Sequence, residues 1–229
     1  MFNRPELAIF DLDNTLYDYE IANASGQAAL NSFLSQHLGR TEIEISHLLE
    51  ESRLRVKNRL GSTASSHSRL LYIRDLLVQL NTHTNAAFAL ECEQVFWRDY
   101  LKKMQLFPGV EELFSVLRLA KTRLVLVTDL SSQIQLRKLA WFGLDKTFEL
   151  IITSEEAGGD KKTGLPEAFL REFLSPDDET WSVGDQDWDH IFPVESKFFK
   201  KVDTGKLQLL EGNRYQFSDF NELLKEINL

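Results

Sequence analysis

Apolar residues fall along this chain in two rhythms, and the change of rhythm organises it. Leu7-Ala8-Ile9-Phe10 is a short apolar run, too short for a helix, followed at once by Asp11-Leu12-Asp13-Asn14-Thr15. An unbroken run of that kind reads as a strand buried on both faces, as in a parallel sheet. The signature returns at Leu124-Val125-Leu126-Val127 before Thr128-Asp129, at Leu150-Ile151-Ile152 before Thr153-Ser154, and at Trp181-Ser182-Val183 before Gly184-Asp185. From Ile21 to Lys103 the apolar positions recur instead at helical spacing, as in Ala28, Leu30, Phe33, Leu34 and Leu38, or Leu70, Leu71, Ile73, Leu76, Leu77 and Leu80. That stretch contains no Pro and no strand-like alternation, and it predicts about four or five helices. Breaks are expected near Gly39-Arg40-Thr41, Gly61-Ser62-Thr63 and Asn81-Thr82-His83-Thr84, with Thr41 and Glu44 suited to a reciprocal cap.

Phe107-Pro108-Gly109-Val110 reads as the hinge back to the sheet. Helices are then predicted over Glu111 to Ala120, over Ile134 to Trp141 ending at Gly143, and over Pro166 to Leu174 with Pro in the first turn. Ser131 or Ser132 is placed to cap the second of these. Lys197-Phe198-Phe199 reads as a short edge strand, and Phe217 to Leu229 as a closing helix with Phe220, Leu223, Leu224 and Ile227 turned to the core. The whole predicts an α/β fold.

Composition narrows the function classes. The chain has 229 residues, 43% hydrophobic and 27% charged, with a formal net charge of -9. Such a balance belongs to a globular protein, and its field repels nucleic acid and anionic membranes. The single cysteine, Cys92, excludes an internal disulfide and a cysteine-based zinc site. There is no 18-residue apolar run, and Met1 to Pro5 offers no apolar signal core, so neither a membrane nor a nucleic acid is expected as partner and a cytoplasmic location is expected. A monomer or a homodimer is expected.

The chemistry sits at the strand ends. Asp11 and Asp13, one residue apart at a strand exit, would repel unless a cation offsets them, and Mg²⁺ suits carboxylates that meet a phosphate. A carboxylate is also a nucleophile toward phosphorus. Asp11-Leu12-Asp13-Asn14-Thr15 after an apolar strand resembles the first motif of the haloacid dehalogenase superfamily, in its phosphatase branch. The resemblance implies Asp11 as nucleophile and Asp13 as general acid and base. True dehalogenases of the superfamily lack an acid at the second position, so Asp13 favours phosphoryl transfer.

The later motifs follow in order. Thr128 stands where the superfamily holds the phosphoryl group, and Asp129, where relatives often carry Asn, is nominated by the same resemblance as a phosphate contact. Gly158-Gly159-Asp160-Lys161-Lys162 resembles the lysine motif. It places the phosphate-contacting lysine at Lys161, although the usual following proline is displaced by Thr163-Gly164-Leu165 and Lys162 stays open. Gly184-Asp185 followed by Asp189 resembles the last motif. By that resemblance Asp11, Asp13 and Asp185 are the metal donors, and Asp189 holds the metal waters or the lysine; Asp187 has no assigned role. The resemblance further implies a Rossmann-like parallel sheet core of residues 1–16 and 104–229, with an all-helical cap of the first type over 17–103. Within that insert Arg53 to Arg74 carries only basic charge beside a small polar stretch, Gly61 to Ser68, which nominates His67 and Arg69 as substrate contacts. The expected activity is a Mg²⁺-dependent phosphatase acting on a small phosphorylated metabolite. A phosphomutase or phosphotransferase, or a non-catalytic phosphate-binding regulatory protein, is the alternative.

Overall fold

The structure is a computed structural model that describes residues 2–82, 85–174, 179–192 and 196–228. Met1, His83, Thr84 and Leu229, which belong to expectations above, lie outside the described residues. The chain divides into two compact units, Met1–Asp18 with Gln105–Leu229, and Tyr19–Met104.

In chain order, β1 (Phe2–Asn3) and β2 (Leu7–Phe10) precede helices α1 (Tyr19–Leu38), α2 (Glu42–Leu60), α3 (Arg69–Gln79) and α4 (Ala86–Lys103). Then come α5 (Val110–Leu119), β3 (Arg123–Thr128), α6 (Ser132–Phe142), β4 (Leu150–Thr153), α7 (Ser154–Ala157), α8 (Leu165–Leu170) and β5 (Thr180–Gly184). The chain closes with β6 (Ser196–Lys201), β7 (Gln208–Glu211), β8 (Arg214–Phe217), α9 (Phe220–Lys225) and β9 (Ile227–Asn228).

The first unit is an α/β fold on a seven-stranded sheet of order β4-β3-β2-β5-β6-β8-β7, parallel except where β7 meets β8. Every residue of β2 is buried, because β3 and β5 flank it and helices cover both faces; a strand so placed has no reason to alternate. Leu7 and Ile9 join Val125, Val127 and Ile152 in a core closed by Leu170, Leu174, Ile191 and Phe192. On the opposite side of the pleat, Phe10 packs edge-on against Phe114 at 5.1 Å and near Phe148. Helix α5 turns Val110, Leu113, Phe114 and Leu117 inward, the spacing of a helix with one apolar stripe. Since β4, β3, β2 and β5 are adjacent and parallel, their C-terminal ends share one edge. That is where open sheets of this kind place their ligands.

The C-terminal third differs from the sequence-based expectation. Strand β6 is interior, between β5 and β8, and the edge is the β7-β8 hairpin turning at Gly212. All four residues of β7 are exposed, so the hairpin has no half-buried alternation to betray it. The closing helix stops at Lys225, and Ile227 pairs with Phe2 in a small parallel ladder. Helix α8 likewise ends at Leu170 and not at Leu174. Neither serine caps α6 by its side chain: Ser131 makes no such bond, and the Ser132 amide donates to Glu155 Oε2 at 2.8 Å. Glu155 does the work expected of the serines. Gly143 ends α6 in the left-handed region, at φ 70°.

The second unit is all-helical, with α1 packed on α4 and α2 on α3. Thr41 and Glu44 form the reciprocal cap, the Thr41 amide donating at 2.9 Å and the Glu44 amide at 3.3 Å. Gly61 ends α2, and the break that follows contains a short 3₁₀ turn, Ala64–His67. Leu30, Leu34, Ile45, Val56, Ile73, Leu76, Phe96 and Tyr100 are core. Cys92 is buried among them, and that burial pushes its thiol up to about 12, so it is a packing residue and not a nucleophile. Among the described residues no helix is long and apolar enough to cross a membrane.

Candidate active site

The end of β2 delivers Asp11, whose amide donates to Val183 O of β5 at 2.9 Å and whose Oδ2 accepts from Thr15 Oγ1 at 3.0 Å. The Asp11 carboxylate is therefore anchored on one oxygen and presented on the other. That other oxygen, Oδ1, accepts from Lys161 Nζ at 2.5 Å, and the same ammonium donates to Asp189 Oδ1 at 2.5 Å. Lys161, Asp11 and Asp189 are all buried. Lys162 is exposed, so of the two candidates Lys161 is the one brought to the carboxylates. It is held there by its own main chain, whose amide donates to Asp129 Oδ1 at 2.8 Å. The Asp129 side chain thus supports the lysine loop, and its expected place as a phosphate contact is corrected accordingly.

Asp185 leaves the end of β5 and completes a trio: Asp11, Asp185 and Asp189 each offer a carboxylate oxygen, all within 4.8 Å of one another. Gln186 secures two of them, its amide donating to Asp189 Oδ2 at 2.8 Å and its Nε2 to Asp185 Oδ2 at 2.5 Å. Three carboxylates face one ammonium. Burial pushes the Asp11 carboxyl well above the ordinary range; Lys161 opposes the rise, and Asp189 and Asp185 add to it. Asp185 is raised as well, by burial first. Lys161 is raised too: burial alone would lower it, but Asp11, Asp189 and Asp129 outweigh that and hold it charged. An excess of negative charge on hard oxygen donors is the donor chemistry of a divalent cation, which these residues fit.

Gly184 makes the trio possible. A Cβ there would overlap the Asp189 side chain, so only glycine lets Asp189 fold back beneath the strand end. Gly184→Ala is expected to lower stability by about 1–3 kcal/mol through overpacking and to displace Asp189 from the trio, both read from thermal unfolding with and without added Mg²⁺. A melting temperature unchanged in either condition would contradict this packing.

Asp13 departs from its expected place among the metal donors. Its carboxylate turns toward α6, where Lys138 Nζ donates to Oδ1 at 2.7 Å and Oδ2 at 2.8 Å, Gln135 Nε2 donates to Oδ2 at 3.2 Å, and the Tyr17 hydroxyl donates to Oδ1. Burial would raise its pKa, but the Lys138 charge and these hydrogen bonds outweigh burial and bring it below the usual value. Asp189 stands in the trio where Asp13 was expected. Thr128, buried at the end of β3, accepts from Gln135 Nε2 at 2.6 Å. Asp187 points away, into surface pairs with Lys200 and Arg214.

The family model described as "Haloacid dehalogenase-like hydrolase" matches residues 8–192, which hold all of these strand ends. The chain belongs to that family. A ribulose-1,5-bisphosphate 5-phosphatase from Halopiger xanaduensis is 35% identical over 159 residues, 69% of this chain and 66% of that protein. The chain thus aligns with slightly under two thirds of that relative's length. Solved structures agree on the fold: a HAD phosphatase from Thermococcus onnurineus has a TM-score of 0.66 at 19% identity, covering 96% of both chains. A 2-haloacid dehalogenase from Pseudomonas syringae has 0.69 at 20% identity, covering 96% of this chain and 97% of that one. Hydrolases of this fold carry both names, so the reaction must be argued from the residues.

In the helical unit Arg53, Arg55 and Arg59 are answered by Glu50, Glu51 and Asp75, acids flanking the basic run. Arg69 differs. Its Nη2 donates to the Tyr19 hydroxyl and to Asn23 Oδ1, both at 2.7 Å, and its guanidinium lies 5.4 Å from the Tyr72 ring centre and 5.0 Å from that of Phe96. Its Nε is buried without a hydrogen-bond partner. Arg69 lines a cavity of about 280 Å³ with Tyr19, Asn23, Gln27, Arg53 and Tyr72. His67 is half-buried and does not line it, so the two expected contacts are not brought together there.

Lys138, Gln135 and Tyr17 were not found in the sequence. The available signal was register: on α6 the buried positions are Gln135, Lys138 and Leu139, while Leu136 and Trp141 are exposed. A helix that exposes some of its apolar residues and buries polar ones hides its functional face from any reading by hydropathy.

Proposed function

We propose that the protein is a Mg²⁺-dependent phosphatase that hydrolyses a small phosphorylated metabolite through an aspartyl-phosphate on Asp11. The observation that carries this reading is the presentation of Asp11 Oδ1 beside Lys161 and the acidic trio, with a second carboxylate, Asp13, held by its own partners. Asp11, Asp185 and Asp189 would hold the cation, and the Asp13 side chain, engaged by Lys138, Gln135 and Tyr17, would not. When bound, Mg²⁺ neutralises the carboxylates and the phosphoryl oxygens.

The chain's own residues then divide the work. Lys161 draws a phosphoryl oxygen toward Asp11 and offsets charge in the loose transition state. Thr128 accepts from Gln135 at 2.6 Å and donates to Asp129 O only at 3.4 Å, a long bond that a phosphoryl oxygen would replace. Asp11 attacks phosphorus and the ester bond to the leaving oxygen breaks, that oxygen taking a proton from the Asp13 carboxyl, which has to be protonated for this step although Lys138 and its hydrogen bonds favour the ionised form. Water then attacks the phosphorus of the intermediate and gives its proton to Asp13, which restores both carboxyl groups. A dehalogenase would have no leaving alcohol for Asp13 to serve.

Arg69 and its cavity, and by the reading of the polar stretch beside the basic run His67, would recognise the non-reacting part of the substrate. The named activity of the Halopiger relative favours a sugar phosphate with a second anionic group. Arg69→Ala is expected to raise KM for the best substrate of a phosphomonoester panel by about tenfold, with kcat held within about threefold. Unchanged KM would remove Arg69 from substrate recognition.

A further inference from the structure

Lys138 is a fully buried lysine on α6, and the reaction described so far does not use it. We propose that Lys138 is a positioning residue for the acid-base carboxylate, fixing both oxygens of Asp13 so that the group serves the leaving oxygen and the attacking water from one orientation. The inference rests on the reading of Asp13 as the acid-base group.

Three observations support it. Lys138 Nζ lies 2.7 and 2.8 Å from the two Asp13 oxygens, a two-point hold that leaves the carboxylate no free rotation. Gln135, also fully buried and one turn before it, ties the same carboxylate to the phosphate-binding hydroxyl: its Nε2 reaches Thr128 Oγ1 at 2.6 Å, Asp129 O at 2.7 Å and Asp13 Oδ2 at 3.2 Å. The cost of this arrangement is visible, because Gln135 Oε1 is buried with no hydrogen-bond partner. A helix face selected for cohesion alone would do better with apolar residues, since a buried ion pair adds little over well-packed hydrocarbon of the same volume and an unpaired buried amide oxygen subtracts. The exposed Leu136 and Trp141 show that apolar residues were at hand on the same helix and were placed elsewhere.

The test separates positioning from folding by the leaving group. An alkyl phosphate needs its departing oxygen protonated; p-nitrophenyl phosphate releases a stable phenolate and does not. Because kcat/KM reports only the steps through phosphorylation of Asp11, it isolates that need from the later hydrolysis. Lys138→Met and Asp13→Asn are each expected to lower kcat/KM on the best alkyl phosphate by about a hundredfold while changing it less than about threefold on p-nitrophenyl phosphate. Lys138→Arg, which keeps a two-point donor, is expected to recover part of the loss, and it carries the test if the methionine variant does not fold: it must then show the same discrimination in weaker form. If Asp13→Asn discriminates between the substrates and the Lys138 variants do not, the inference is overturned and the reading of Asp13 stands. If Asp13→Asn itself loses equally on both, the acid-base reading falls and takes the inference with it.

Discussion

Asp11→Asn is expected to lower kcat on any phosphomonoester by about four orders of magnitude or more, the scale on which a lost nucleophile acts, while leaving the folded protein at least as stable in EDTA. The amide keeps the shape of the side chain and can still meet Thr15 and Lys161, which anchor Asp11 at 3.0 and 2.5 Å. What it removes is one of the two buried carboxylates that share the Lys161 ammonium, beside a third, half-buried one on Asp185. Burial and the neighbouring acids already disfavour the Asp11 charge, so losing that charge relieves the cation-free protein. Added Mg²⁺ should reverse the order, raising the melting temperature of the parent more than that of the variant. A variant that is inactive because it is unfolded would show the opposite, a lower melting temperature in EDTA, and would say nothing of nucleophilicity.

Lys161→Met has the larger structural consequence. Lys161, Asp11 and Asp189 have side chains only 4%, 5% and 2% exposed, so removing the ammonium leaves buried carboxylates facing one another with no counter-charge. Breaking a buried pair in this way costs about 3–5 kcal/mol, and millimolar Mg²⁺ should restore part of it because the trio is still intact. Activity should stay lost at any Mg²⁺ concentration, since the cation does not supply the donor that reaches the phosphoryl oxygen beside Asp11. Lys162→Met, at an exposed position, should change neither quantity. Denaturant unfolding with and without Mg²⁺ measures both; equal effects of the two substitutions would put the lysine assignment in error.

The sequence made the four site-bearing strands legible because each is an apolar run ended by chemistry, and a strand buried on both faces must look that way. That rule and the family motifs nominated Asp11, Thr128, Lys161, Asp185 and Asp189, of which Asp11, Lys161, Asp185 and Asp189 lie together in the structure. What stayed hidden had physical reasons. The β7-β8 hairpin is a solvent-facing edge with no buried stripe, so nothing in its hydropathy marks it. Ile227 has helical spacing to Leu223 and Leu224, yet it pairs with Phe2, a contact across nearly the whole chain that no local pattern encodes. The turn of Asp13 toward Lys138 depends on a buried polar face of α6, and composition assigns such residues to the surface. The basic run in the helical unit looked uniform in sequence, but only Arg69 of the arginines discussed meets neutral partners, because the acids that answer the others lie outside the run.

The central claim is that phosphate passes through Asp11, and the most direct measurement is rapid acid quench of the enzyme with a labelled phosphomonoester and Mg²⁺, followed by peptide mapping. The account predicts a base-labile phosphate on the peptide carrying Asp11, formed within one turnover, lost on chase with unlabelled substrate and absent from Asp11→Asn. Substrate hydrolysis with no protein-bound phosphate at any time, or a label on another residue, would contradict it.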